Sequence, residues 1–234
     1  MIYAVYGFVA GFLIPYMSRR FAKFMPATPA YALYRLVKPN KTARKVKFST
    51  RYKQLKRKYL SRSLVYGALS ALLSLLAFWR LGEEHLFWYL TFVWILLLLA
   101  EIDLKMLLLP DILTIPLLIG GFVFAAFFGV NVSAEESAAA AMAGYVLPVP
   151  HVIGALCVSV PMFLLCLVID GAFGGGDIKL LSAIGAWLGL EGVIYTILLS
   201  CLVFGLYSAV RRQRAGAFGP SLSVSAVIIL LWLF

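Results

Sequence analysis

Two aspartates stand in settings that are unusual for carboxylates in so apolar a chain. Asp103 lies in "EIDLKMLLLPDILTIPLL" and Asp177 in "GAFGGGDIKLL", 74 residues further on. An ionisable group at a helix centre in a bilayer costs about 2.5–3.5 kcal/mol on insertion scales, and less near a helix end, so each needs a reason. Two carboxyls brought together share a proton rather than both ionising. Such a pair suits hydrolysis of a peptide bond. The ionised member takes a proton from water, and the protonated member polarises the carbonyl and later helps the amine leave. Gly174, Gly175 and Gly176 carry no side chains, so an extended peptide could run close to the backbone beside Asp177. Glycine also accepts the φ values that a tight turn requires.

Each of these residues also has a plain structural reading. Asp177 could simply cap a helix beginning at Ile178, on a flexible glycine turn. Asp103 could be an interfacial acid ending a span, with Lys105 beside it. Pro110 and Asp111 suit a helix start, because proline favours the first turn and an acid there complements the helix dipole. Glu101 reads either as a support for the aspartates or as interfacial. Lys179 either tunes Asp177 or marks the inner side of the membrane.

The elements that must position these groups are spanning helices. The chain has 234 residues, 63% of them hydrophobic and 13% charged, and its mean hydropathy is +0.95. Soluble domains carry about 25% charged residues, and a spanning helix needs about 20 mostly apolar ones. Such runs recur from end to end, without the alternation of a β-barrel. The fold expected is all-α, a polytopic membrane protein with about eight transmembrane helices. They fall near 1–17, 64–79, 86–102, 112–130, 151–169, 178–190, 192–210 and 218–234.

Charge sets the direction. Fifteen of the 21 Lys and Arg residues fall between Arg19 and Arg62, and no acid precedes Glu83. The positive-inside rule makes this block a cytoplasmic loop rather than a nucleic-acid surface. The N-terminus is then outside, with 1–17 an anchor, 18–63 a basic cytoplasmic loop and 64–234 the transmembrane domain. "RLGEEH" and 131–150 become outer loops, and "GLEG" a tight turn. Asp103 and Asp177 both reach the cytoplasmic ends of their segments. Cys157, Cys166 and Cys201 read as small buried hydrophobes, and His85 and His151 stand alone, so no metal site is expected.

The paired strings "IDLKMLLLPDILTIPLLIGG" and "GGGDIKLLSAIGAWLG" resemble the type IV prepilin peptidases, aspartic membrane proteases that process pilin and type II secretion pseudopilin precursors. "AFGPSL" at 217–222 resembles that family's FGP stretch more weakly, and the likeness covers roughly 86–234. The resemblance implies that Asp103 and Asp177 are the catalytic pair. It implies a precursor substrate with a short basic leader ending in glycine, followed by a hydrophobic helix. Cleavage after that glycine would occur at the cytoplasmic face of a bacterial inner membrane. Glu101, Asp111, the three glycines and Lys179 would surround the pair, with Glu101 and Asp111 the better candidates for meeting a cationic leader.

Many bacterial members carry two CxxC pairs in the first cytoplasmic loop, resembling a zinc site, and N-methylate the new terminus with S-adenosylmethionine. This loop has neither pair, so the zinc site is not carried over and methylation stays open. The peptidase itself implies no cofactor. The basic loop suits anionic lipid headgroups, at about 1 kcal/mol per basic residue near the surface. Two rivals remain. A proton-coupled carrier would place its acids near the midplane of repeated halves, and a non-catalytic pilus assembly subunit would not need the aspartates.

Overall fold

In the computed structural model the described residues are 2–24, 50–83, 85–128, 149–168, 174–211 and 216–233. They form helices α1 (Ile2–Phe24), α2 (Thr50–Leu81), α3 (Leu86–Met106), α4 (Asp111–Phe128), α5 (Val149–Val168), α6 (Gly175–Arg211) and α7 (Gly219–Leu233). The expected span pair 178–190 and 192–210 is one helix with a break. Gly189 adopts φ 73°, ψ −174°, which interrupts α6 at the first residue of "GLEG". Divided there, the described residues carry a helical segment at each of the eight apolar runs. Among the described residues three helices, reaching Tyr59–Leu81, Leu86–Met106 and Gly175–Val210, are long and apolar enough to cross a membrane.

Two boundaries differ from the sequence reading. The helix α2 starts at Thr50, inside the expected basic loop. Lys, Arg, Gln and Leu are all good helix formers, so the helix continues where the apolar run stops. The helix α1 likewise runs on to Phe24. Residues 25–49 and the outer loop near 131–150 lie outside the described residues, apart from the start of α5.

The chain divides into two compact units, Met1–Leu107 and Leu108–Phe234. In the first, α1 packs on both α2 and α3. The α1–α2 contact is made by small residues. A Cβ on Gly7 would lie 2.2 Å from Ser74 Oγ, and one on Gly11 would lie 2.4 Å from the Tyr66 carbonyl. Close backbone approach through small residues four apart is how helices associate in lipid, where hydrophobic burial drives little.

In the second unit α6 is the centre, with α4, α5 and α7 packed on it. Trp187 is buried, stacks on Phe124 with centroids 5.3 Å apart, and donates its Nε1–H to the Leu117 carbonyl at 2.8 Å. Against α5 the two backbones almost touch. A Cβ on Gly154 would meet the Gly189 carbonyl carbon at 2.5 Å, and one on Gly185 the Gly154 oxygen at 2.4 Å. His151 donates from Nδ1 to the Ala186 carbonyl at 3.0 Å, a structural bond across the same contact. Large apolar side chains such as Leu72, Phe127, Leu198 and Leu202 point outward. Helices apolar on all sides belong in lipid.

Candidate active site

Asp103 sits in the last turn of α3 and is 5% exposed. The helix ends just beyond it. Leu107 takes a left-handed conformation (φ 53°), and its N–H donates to the Asp103 carbonyl at 2.8 Å. That bond satisfies one of the four carbonyls a helix end leaves without partners.

Glu101, two residues earlier, is wholly buried. Its Oε1 lies 2.7 Å from Lys105 Nζ and 3.3 Å from an Arg62 guanidinium nitrogen, and its Oε2 accepts from the Tyr66 hydroxyl. Lys105 also donates to Ser18 Oγ at 2.6 Å, and Ser18 donates in turn to the Pro15 carbonyl. The expectation that Glu101 meets a cationic leader therefore has a competitor inside the protein, because cations from α2 and α3 already hold it. Glu101 is the buried member, with Arg62 and Lys105 44% and 22% exposed, so it is the carboxylate that depends on these partners for compensation.

Arg62, Tyr66 and Ser18 were not singled out in the sequence. Their only local signal was the Glu101–Lys105 spacing of four, which places an acid and a base on one helix face.

In the second unit the two motif strings meet. Asp111 is the first residue of α4, directly after Pro110, whose carbonyl accepts from Leu113 and Thr114. Its Oδ1 lies 2.7 Å from Lys179 Nζ, with the two side chains 56% and 49% exposed. A Cβ on Gly176 would lie 2.9 Å from Leu109 Cβ, so the glycine lets the "LPD" corner rest on the start of α6. Gly175 has open space around it, and a Cβ on Gly174 would come within 3.1 Å of Asp177 Oδ2.

The helix begins at Gly175, three residues before Ile178, so Asp177 belongs to its first turn. Its N–H donates to the Gly174 carbonyl at 2.9 Å. None of the three glycines takes a positive φ; only Gly82 and Gly189 do so among the described glycines. Their service here is lack of bulk rather than unusual backbone angles. Next to this turn a groove of about 440 Å³ opens between α4, α5 and α6. Ile115, Phe163, Leu164 and Ile178 give it apolar walls, Ser159 and Ser182 add hydroxyls, and Lys179 stands among its lining residues.

Among the described residues no group of three or more His, Cys, Asp or Glu side chains could hold a metal ion. Asp103 and Asp177 belong to different units, and each is placed by its own.

Residues 90–209, which include both aspartates, match the type IV leader peptidase family. The chain belongs to that family. Proteins similar to it are called "Prepilin leader peptidase/N-methyltransferase". The one from Aeromonas hydrophila is 38% identical over 151 residues, 61% of this chain and 48% of its own length. Those from Dichelobacter nodosus and Legionella pneumophila are 32% and 33% identical, over 75% and 70% of this chain and 58% and 56% of theirs. The chain spans about half the length of the curated relatives it matches. No solved structure gives a significant match. Membership of the leader peptidase family favours a peptidase over the carrier and the assembly subunit.

Proposed function

We propose that this leader peptidase family member is an aspartic endopeptidase. Its substrates would be precursors of type IV pilins or pseudopilins, cut after the glycine that ends their basic leader. The reaction would take place at the cytoplasmic face of the bacterial inner membrane. Asp103 and Asp177 act on one scissile bond. One carboxylate takes a proton from water, whose oxygen attacks the carbonyl carbon. The other, protonated, donates to the carbonyl oxygen as charge builds there, and the amine leaves with a proton as the tetrahedral intermediate collapses.

The observation that carries this reading is the joined edge of the second unit. Gly176 seats Leu109, Lys179 pairs with Asp111, and Asp177 stands in the first turn of α6 directly after three glycines, of which Gly175 has open space around it. A peptide backbone needs such bare ground to come within reach of a carboxylate. Asp111, half exposed, is the acid available to a basic leader. The apolar groove beginning at Ile178 suits the hydrophobic segment that follows the cut. The basic residues at the end of α1 and at the start of α2 would meet anionic lipid headgroups, and no nucleic acid is proposed as a partner.

The relatives are also named N-methyltransferases, and the second activity proposed is transfer of a methyl group from S-adenosylmethionine to the new N-terminus. One experiment addresses both. A detergent-solubilised prepilin is incubated with S-adenosylmethionine and with wild type, Asp103→Asn or Asp177→Asn, and the product masses are recorded. The peptidase reading expects cleavage by wild type alone. Cleavage at the wild-type rate by either folded variant removes that residue from the mechanism, and an added methyl mass assigns the second activity.

A further inference from the structure

We propose that Glu101 is a positioning residue for Asp103, clamping the last turn of α3 to α1 and α2. The proposal rests on the reading of Asp103 as a catalytic carboxylate. Glu101 and Lys105 are one turn apart on a single face of α3 and are themselves paired at 2.7 Å. Asp103 is two residues from each, which at about 100° per residue puts it on the opposite side of the helix. The clamp therefore sets the rotation and height of Asp103 without lying on its side of the helix.

The fastenings come from three directions. Arg62 and Tyr66 hold Glu101 from α2, Lys105 holds it from the next turn of α3, and Lys105 reaches Ser18 on α1. The cleavage chemistry makes no use of Glu101, and at zero exposure it cannot receive a leader from solvent without opening the unit. Burial of an acid among two cations is no gain over apolar packing in itself. A helix end, however, is the part of a helix most prone to fray, because its last carbonyls lack partners in the helix. Fixing that end holds a carboxylate where a displacement of about 1 Å could cost a hundredfold in rate.

The test uses the full chain in lipid nanodiscs, with a prepilin as substrate. Glu101→Gln keeps the shape of the side chain but leaves Arg62 and Lys105 without their counter-charge. Its kcat is expected to fall about 10- to 100-fold with KM unchanged. Hydrogen exchange at the Leu107 amide, which is bonded to the Asp103 carbonyl, should quicken in the same variant. Tyr66→Phe should shift both quantities in the same direction by less.

A raised KM with unchanged kcat would overturn the proposal in favour of leader binding. Unchanged kcat in folded Glu101→Gln, or unchanged exchange at Leu107, would overturn it as well. If Glu101→Gln does not fold, Tyr66→Phe removes the hydrogen bond to Glu101 and Ser18→Ala removes those to Lys105 and the Pro15 carbonyl, and wild-type kcat in both defeats the proposal. A wild type that cleaves no prepilin defeats the reading of Asp103 itself. The exchange measurement still shows separately whether the clamp holds α3.

Discussion

Around Asp103 the last turn of α3 is secured by charge, through Arg62, Lys105 and Tyr66 on a carboxylate with no exposure. Around Asp177 the first turn of α6 is secured by the absence of side chains, with Gly176 against Leu109 and, further along the helix, Gly185 against Gly154. The contrast follows from what each helix end lacks. A C-terminus offers unpaired carbonyls and needs donors and cations nearby. An N-terminus offers unpaired N–H groups, and glycines there keep the ground clear for other backbone. In lipid, where burial of apolar surface between helices gains little, both means are available: polar bonds and close backbone packing.

The largest expected effects come from the two carboxylates. General acid–base groups contribute about 10²–10⁴-fold each, so Asp103→Asn and Asp177→Asn should each lose at least that much cleavage while remaining folded. The assay of product mass described above measures it. An outcome in which only one matters would make the two ends unequal in chemistry as well as in construction.

Next in size is the packing at Gly185. Its Cβ would lie 2.4 Å from a backbone oxygen of α5, so no rotamer change relieves the clash. Gly185→Leu should cost more than the roughly 1–3 kcal/mol typical of overpacking, read as a lowered unfolding midpoint in detergent. Gly205→Leu, at a glycine with open space around it on the same helix, should leave the midpoint near wild type. Equal midpoints for the two would show that the second unit is not held by close backbone approach.

The glycine triplet divides the same way on a smaller scale. Gly176→Ala must push Leu109 aside and with it the corner leading to Asp111, and a severalfold loss of kcat is expected. Gly175→Ala meets nothing within 4 Å and requires no unusual φ, so it should keep folding and, unless substrate backbone runs there, activity. A large loss at Gly175 with unchanged stability would thus locate the substrate rather than the packing. Kinetics and an unfolding midpoint on the same preparations make the distinction.

Much of this arrangement was legible because spanning helices leave a strong sequence signal. Each of the eight apolar runs carries a helical segment, and the break that "GLEG" suggested falls at Gly189. The meeting of "LPD" with "GGGD" was suggested only by the resemblance, since nothing in one sequence pairs residue 111 with 179. Glu101 shows the limit most plainly. Its position near a helix end was readable, but its partners on α2 lie 35 and more residues away, and a long-range ion pair has no local pattern. The start of α2 at Thr50 was missed for another reason. Hydropathy stops where charge begins, whereas helix propensity does not. At the glycine triplet the backbone angles are ordinary, and what the structure shows instead is the close seat of Leu109 on Gly176.

The smallest effect concerns Asp111 and Lys179, and there the direction matters more than the size. The two side chains lie 2.7 Å apart and are 56% and 49% exposed, so the pair contributes about 0–1 kcal/mol to stability. If it serves only to hold the corner, Asp111→Asn and Lys179→Met remove the same bond and should change cleavage alike. If Asp111 meets a basic leader, the variants part company. Asp111→Asn removes the attractive charge and raises KM severalfold. Lys179→Met leaves Asp111 unpaired and removes a repulsive cation, so KM falls. Added salt screens both shifts over a Debye length of about 8–10 Å and draws the two KM values together. Parallel changes at low salt would return Asp111 to structure alone, and opposite ones would make this exposed pair the part of the molecule that reads charge, as the buried cluster around Glu101 cannot.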